Sequence, residues 1–121
     1  MNDYKIFAID FDGTLCENAW PEIGEPKQKI IDFCIRKREQ GHKLILWTCR
    51  SGKDLTEALK WCNDRDLFFH AVNSNLPDQI LLYNSDPRKI GADYYIDDRN
   101  ISIREIENED REEEKLSIFA I

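Results

Sequence analysis

Tyr4-Lys5-Ile6-Phe7-Ala8-Ile9-Asp10-Phe11-Asp12-Gly13-Thr14-Leu15 is the stretch on which the fold turns. Residues 4–10 read as a buried strand, a short apolar run that ends on a carboxylate. Asp10 and Asp12 then leave that strand two positions apart, and Gly13 permits an unusual turn directly after them. Two buried acids side by side are costly unless a cation or a reaction requires them. The plain alternative is a structural turn built on Asp-Gly.

Outward from this stretch, a loop carrying Gly13, Pro21 and Gly24 leads into a helix. Pro26 is its expected first residue, Ile30, Ile31, Phe33, Cys34 and Ile35 its apolar face, and Gly41 its C-terminal cap. Lys43–Thr48 reads as a second apolar strand ending on a hydroxyl, followed by a helix from Lys53 or Asp54 with Leu55, Ala58, Leu59 and Cys62 at helical spacing. Phe68–Val72 is a third strand, Gln79–Tyr83 a short helix, Ala92–Asp98 a fourth strand ending in acids, and Leu116–Ile121 a last strand. Strands alternating with helices predict one α/β domain over residues 1–121, Rossmann-like and three-layered, with a mainly parallel sheet and helices on both faces. Function is then expected at the carboxyl ends of the strands.

Composition narrows the classes. The chain has 121 residues, 41% hydrophobic and 34% charged, which is globular rather than disordered composition. No apolar run approaches the roughly 20 residues that span a bilayer, and no signal or transit peptide is read at the start, so the expectation is a cytoplasmic protein. Of the net charge of −7, residues 105–115 carry −5, a solvated acidic stretch on an otherwise near-neutral body. That balance disfavours a strong non-specific nucleic-acid binder. Cys16, Cys34, Cys49 and Cys62 form no C-x-x-C pair, and His42 and His70 are not spaced to complete a zinc site, so four free thiols are expected. Trp47 and Trp61 read as core, and Trp20 as a loop residue able to touch substrate.

If the strands run parallel, Asp10, Asp12, Asp97 and Asp98 converge on one edge, joined there by Thr48 and, shortly before the fourth strand, Lys89. Clustered hard oxygen ligands with open positions suit Mg²⁺, and a hydroxyl with a lysine beside it makes a phosphate-binding set. Asp10-x-Asp12-Gly13-Thr14-Leu15, Thr48, Lys89 and Asp97-Asp98 together resemble, in order, the four motifs of the haloacid dehalogenase (HAD) superfamily over residues 4–98. The resemblance implies a HAD-like fold and a phosphohydrolase. It makes Asp10 the nucleophile that forms an aspartyl-phosphate, and Asp12 the general acid and then base. Thr48 and Lys89 would hold the phosphoryl group. Mg²⁺ would bind to Asp10, the Asp12 carbonyl and Asp97, with Asp98 behind them or reaching the ion through water.

The intervals between these motifs are too short for a sizeable cap, so an open site is expected, covered at most by Cys16–Glu25 with Trp20 at its tip. Its substrate would be a phosphorylated small molecule or the phosphorylated end of a macromolecule, and a homodimer is worth testing. Thr48-Cys49-Arg50 and Asp97-Asp98-Arg99 also look like the polynucleotide 3′-phosphatase branch, which would make Arg50 a substrate contact. Because the body lacks a basic stripe, the reading placed first is that Arg50 is an ordinary phosphate or loop-bracing arginine and that Arg99 pairs with a neighbouring acid. The alternatives are that 3′-end phosphatase and a non-catalytic module that keeps metal and phosphate binding.

Overall fold

A computed structural model of the protein describes residues 3–108. Its central strand is the expected one, β1 (Ile6–Ile9), buried along its whole length. A two-stranded antiparallel hairpin follows, β2 (Cys16–Ala19) and β3 (Glu22–Pro26), then α1 (Gln28–Glu39), β4 (Lys43–Leu46) and α2 (Gly52–Asn63). The chain continues through β5 (Ala71–Val72), α3 (Pro77–Tyr83) and β6 (Tyr94–Ile96), and residues 103–108 are helical. The main sheet has the order β5-β4-β1-β6 and is parallel throughout.

The period-2 alternation of strand side chains splits the core in two. Phe7 and Ile9, in register with Leu44 and Leu46, pack with Ile31 and Cys34 of α1 and with Ala58 and Cys62 of α2. Ile6 and Ile45 face the other way and meet Leu76 and Ile90. Right-handed crossovers explain the division. Two successive steps in one direction, β1 to β4 to β5, put both long helices on one face, and the return step to β6 runs its connection across the other. The second face is therefore covered by a seven-residue helix and a loop rather than by a full helical layer.

Several expectations change. Cys16–Glu25 is a hairpin rather than a loop; its strands are short and mostly polar outward, so no alternation marks them. A Cβ at Gly24 would lie 2.2 Å from the Glu17 carbonyl oxygen, which is why the two strands can close there. Pro26 ends β3 opposite Cys16 instead of opening the helix, a place where a missing N–H is tolerated on an edge strand. The short helix α3 starts at Pro77, two residues before the expected Gln79. Trp47 is 40% exposed and is not core, whereas Trp61 packs edge-on against Phe11. All four cysteines are free, and burial pushes the Cys34 and Cys62 thiols up to about 12. Leu116–Ile121 and most of the acidic stretch lie outside the described residues. Among the described residues, no helix is long and apolar enough to cross a membrane, and the β2–β3 hairpin is the strand pair that stands outside the main sheet.

Candidate functional site

The sheet order reverses beside β1, because the chain moves from β1 to β4 and β5 and then returns to the far side of β1. Connections on either side of such a switch point diverge and open a crevice at the carboxyl ends of the strands. Asp10 enters it directly after β1, its N–H donating to the Ile96 carbonyl at 2.9 Å, and Asp97-Asp98 enter it directly after β6. Backbone register alone thus brings two acidic segments together from positions far apart in sequence.

The Asp98 carboxylate lies against the turn after Asp12. A Cβ at Gly13 would sit 2.1 Å from Asp98 Oδ2, and Gly13 has φ +86°. Gly13→Ala is expected to destabilise the protein by about 1–3 kcal/mol through backbone strain and to displace Asp98, as urea unfolding would show. Burial pushes the Asp10 carboxyl above its ordinary range, and the charge and hydrogen bond of Asp98 push the same way. The Phe11 N–H and the Thr14 hydroxyl, which donates to Asp10 Oδ2 at 3.2 Å, pull it back.

A raised carboxyl means that the neutral form suits the fold. Its contribution is complete below the unfolded-state value and is lost as pH rises through the folded one. In EDTA, Asp10→Asn is therefore expected to raise the melting temperature at neutral pH, with the difference vanishing in acid. An unchanged difference across that range would contradict the partial burial of the Asp10 carboxyl as the source of the effect.

Asp12 is held by Arg50. Nε and Nη2 of the guanidinium donate to its two carboxylate oxygens at 2.9 and 2.8 Å. Nη1 and Nη2 also donate to the carbonyls of Pro21 and Glu22 in the hairpin turn, at 3.2 and 3.0 Å. The group lies between the Phe11 and Trp20 rings, 5.1 and 4.9 Å from their centroids. Arg50 is only 1% exposed. It is therefore an internal clamp between Asp12 and the hairpin tip, which agrees with the loop-bracing reading of Arg50 rather than with a surface substrate contact. Trp20 does stand at that tip, 55% exposed.

Thr48, just past β4, reaches the same edge. Its N–H donates to Asn73 Oδ1 at 2.8 Å, and its hydroxyl oxygen accepts the Arg50 N–H at 3.1 Å, leaving the O–H proton free to donate. Asp97 turns back to accept the Arg99 N–H at 3.0 Å, so Asp98 is the acid brought against Asp10. Lys89 is not at this edge. It lines a cavity with Tyr4, Lys5 and Asp93 at the amino-terminal ends of β1 and β6. The reason is length: Lys89 precedes β6, Asp98 follows it, and each strand residue advances about 3.3 Å. The lysine brought to the Asp10–Gly13 loop is Lys27, whose Nζ donates to the Gly13 carbonyl at 2.7 Å. Lys27 and Asn73 went unread in the sequence because neither sits in a local pattern; both arrive by tertiary packing.

The donors at the crevice suit Mg²⁺. Asp10 and Asp98 carry hard carboxylate oxygens, and the charge of Asp98 already opposes the ionisation of Asp10. Among the described residues, no place gathers three or more His, Cys, Asp or Glu side chains as a ready cage. An ion here would take the two carboxylates and complete its shell with backbone oxygen and water, as Mg²⁺ commonly does.

No protein-family model matches the chain, and no curated protein matches it. Among solved structures, a conserved protein from Bacteroides thetaiotaomicron is similar, with a TM-score of 0.73 and 36% identity over 93% of each chain. Identity at that level over nearly the whole of both chains means that the protein belongs to the same family as that conserved Bacteroides protein.

Proposed function

We propose that the protein is a Mg²⁺-dependent phosphohydrolase of the HAD superfamily, with a HAD-like fold, no sizeable cap, and an aspartyl-phosphate intermediate. The observation that carries this reading is the crevice at the β1/β6 switch point, where Asp10 and Asp98 meet with Asp12 and Thr48 alongside. Asp10, rigid at the end of a buried strand, attacks phosphorus as the P–O bond to the leaving alcohol breaks. Asp12, beyond the bend, gives that alcohol its proton from one carboxyl oxygen while the other keeps its hydrogen bond from Arg50. In the second half, Asp12 takes a proton from the water that attacks the aspartyl-phosphate and returns Asp10 to its free form.

Thr48 donates its hydroxyl proton to a phosphoryl oxygen, and Lys27, on the Gly13 carbonyl, is the lysine best set to balance the charge. Asp10 and Asp98 would hold Mg²⁺, which supplies further neutralisation of the transferring group. The substrate is a phosphate monoester, either a phosphorylated small molecule or the phosphorylated end of a larger one.

Hydrolysis of 4-nitrophenyl phosphate tests the proposal. Activity should vanish in EDTA and return with Mg²⁺; no Mg²⁺-dependent release with this or other monoesters would sink it. At limiting Mg²⁺, Asp98→Asn is expected to lose more activity than Asp97→Asn, since only Asp98 lies beside Asp10. The reverse order would return the ligand role to Asp97.

A further inference from the structure

At the end of the sheet away from Asp10, the amino-terminal ends of β1 and β6 border a cavity of about 510 Å³. That is within the range of roughly 300–1,000 Å³ in which small-molecule sites fall. Tyr4, Lys5 and Ile6 line it from β1 and its approach, Gln79 and Tyr83 from α3, and Lys89 from the loop that leads to β6.

That loop is not a slack connection. Asn75, 6% exposed, accepts the Gly91 N–H on Oδ1 at 2.7 Å. Its Nδ2 donates to Asp86 at 2.8 Å and to the Pro87 carbonyl at 3.1 Å. The Tyr95 hydroxyl donates to the Ile90 carbonyl, and the Ile90 side chain is sunk among Ile6, Ile45 and Leu76. A buried amide thus spends both of its donors and one acceptor position on fixing residues 86–91, while Lys89 in their midst stays exposed. A loop held at so many points presents its lysine in a set place, which lowers the ordering cost of binding there.

The charges lining the cavity favour an anion. Two ammonium groups, Lys5 and Lys89, stand against one carboxylate, Asp93, whose Oδ2 already accepts the Ile6 N–H at 2.7 Å. Asp78 and Asp86 keep their charges but do not line the cavity: Asp78 is turned onto the Tyr4 hydroxyl and Asp86 onto the Asn75 amide. Among the described residues, neither Lys5 nor Lys89 enters an ion pair. The exposed Tyr83 ring adds a flat apolar wall.

We infer that this cavity binds a small organic phosphate, its phosphate between Lys5 and Lys89 and its organic part against Tyr83. The site is separate from the Asp10 crevice and does not depend on catalysis there. Lysine meets a phosphate as a charged donor that needs no fixed fork geometry.

Adenosine monophosphate is a suitable probe, titrated in EDTA into the full ¹⁵N-labelled chain. Amide shifts are expected at Gly91, Ala92 and Ser85, with Gly13 and Thr48 unmoved. Lys89→Met and Lys5→Met, both at exposed positions, should each weaken binding at least about tenfold with the melting temperature unchanged, whereas Asp10→Asn should leave it intact. No saturable binding, shifts centred on Gly13 and Thr48, or equal affinity in the lysine variants would overturn the inference. So would a Lys89→Met protein that loses aryl phosphate hydrolysis yet binds the nucleotide normally, since Lys89 would then serve the other edge. Wild-type protein that binds the nucleotide here but hydrolyses no phosphate ester would leave the cavity standing and remove only the phosphohydrolase.

Discussion

Asp10→Asn is expected to abolish turnover, with a loss of roughly 10⁴–10⁶-fold, the scale on which removal of a nucleophile is felt. Asparagine keeps the shape of the side chain but not the attacking oxygen, so the covalent intermediate should vanish with the activity. Acid quench of the protein during turnover of a ³²P-labelled ester should trap label on the wild type and none on the variant. Label on Asp10→Asn would remove Asp10 from the role of nucleophile. The same variant should gain stability at neutral pH in EDTA, because the ionised carboxyl is half-buried and lies beside Asp98. Lost activity together with gained stability separates a chemical role from a structural one.

The second large effect concerns the Asp12–Arg50 pair, and its sign is set by an asymmetry of burial. The Arg50 side chain is 0% exposed and that of Asp12 20% exposed. Removing one partner of a buried pair costs about 3–5 kcal/mol when the other is left as an uncompensated charge. Asp12→Asn leaves the fully buried guanidinium facing a neutral amide, so it should pay that penalty and also slow both chemical steps by roughly 10²–10⁴-fold. Arg50→Met removes the buried charge itself and leaves a carboxylate that water can reach, so its stability loss should be smaller.

The double variant should recover much of the stability lost in Asp12→Asn and none of the activity. Urea unfolding of the three proteins gives the order. If Arg50→Met were the most destabilised, the hairpin contacts to Pro21 and Glu22 would outweigh the ion pair. A loss of about 3–5 kcal/mol is a large share of the 5–15 kcal/mol by which domains are usually stable, so the clamp is a feature of the fold as much as of the site.

How much of this was legible beforehand varies with how local the cause is. The strand at residues 6–9 could be read because its burial on both faces writes a continuous apolar run into the sequence. The two long helices were read from their apolar spacing, although α1 begins after Pro26 rather than at it. β5 and β6 are shorter than the apolar runs that suggested them, because pairing partners, rather than composition, decide where a ladder stops. The hairpin left no signal, since its polar strands are stabilised by Arg50 reaching in from a distant loop.

By itself, the sequence determined an α/β chain with a parallel sheet and carboxylates at the ends of its first and last described strands. These follow from period, propensity and strand polarity, which act between near neighbours. Only the tertiary structure decided that Asp98 rather than Asp97 faces Asp10, that Arg50 is an inward clamp, and that Lys89 stands at the opposite end of the sheet while Lys27 takes a place beside Gly13. A strand's direction sends every residue before it to one end and every residue after it to the other. Which side chain then meets which depends on register, crossover hand and burial, none of which a stretch of neighbouring residues encodes.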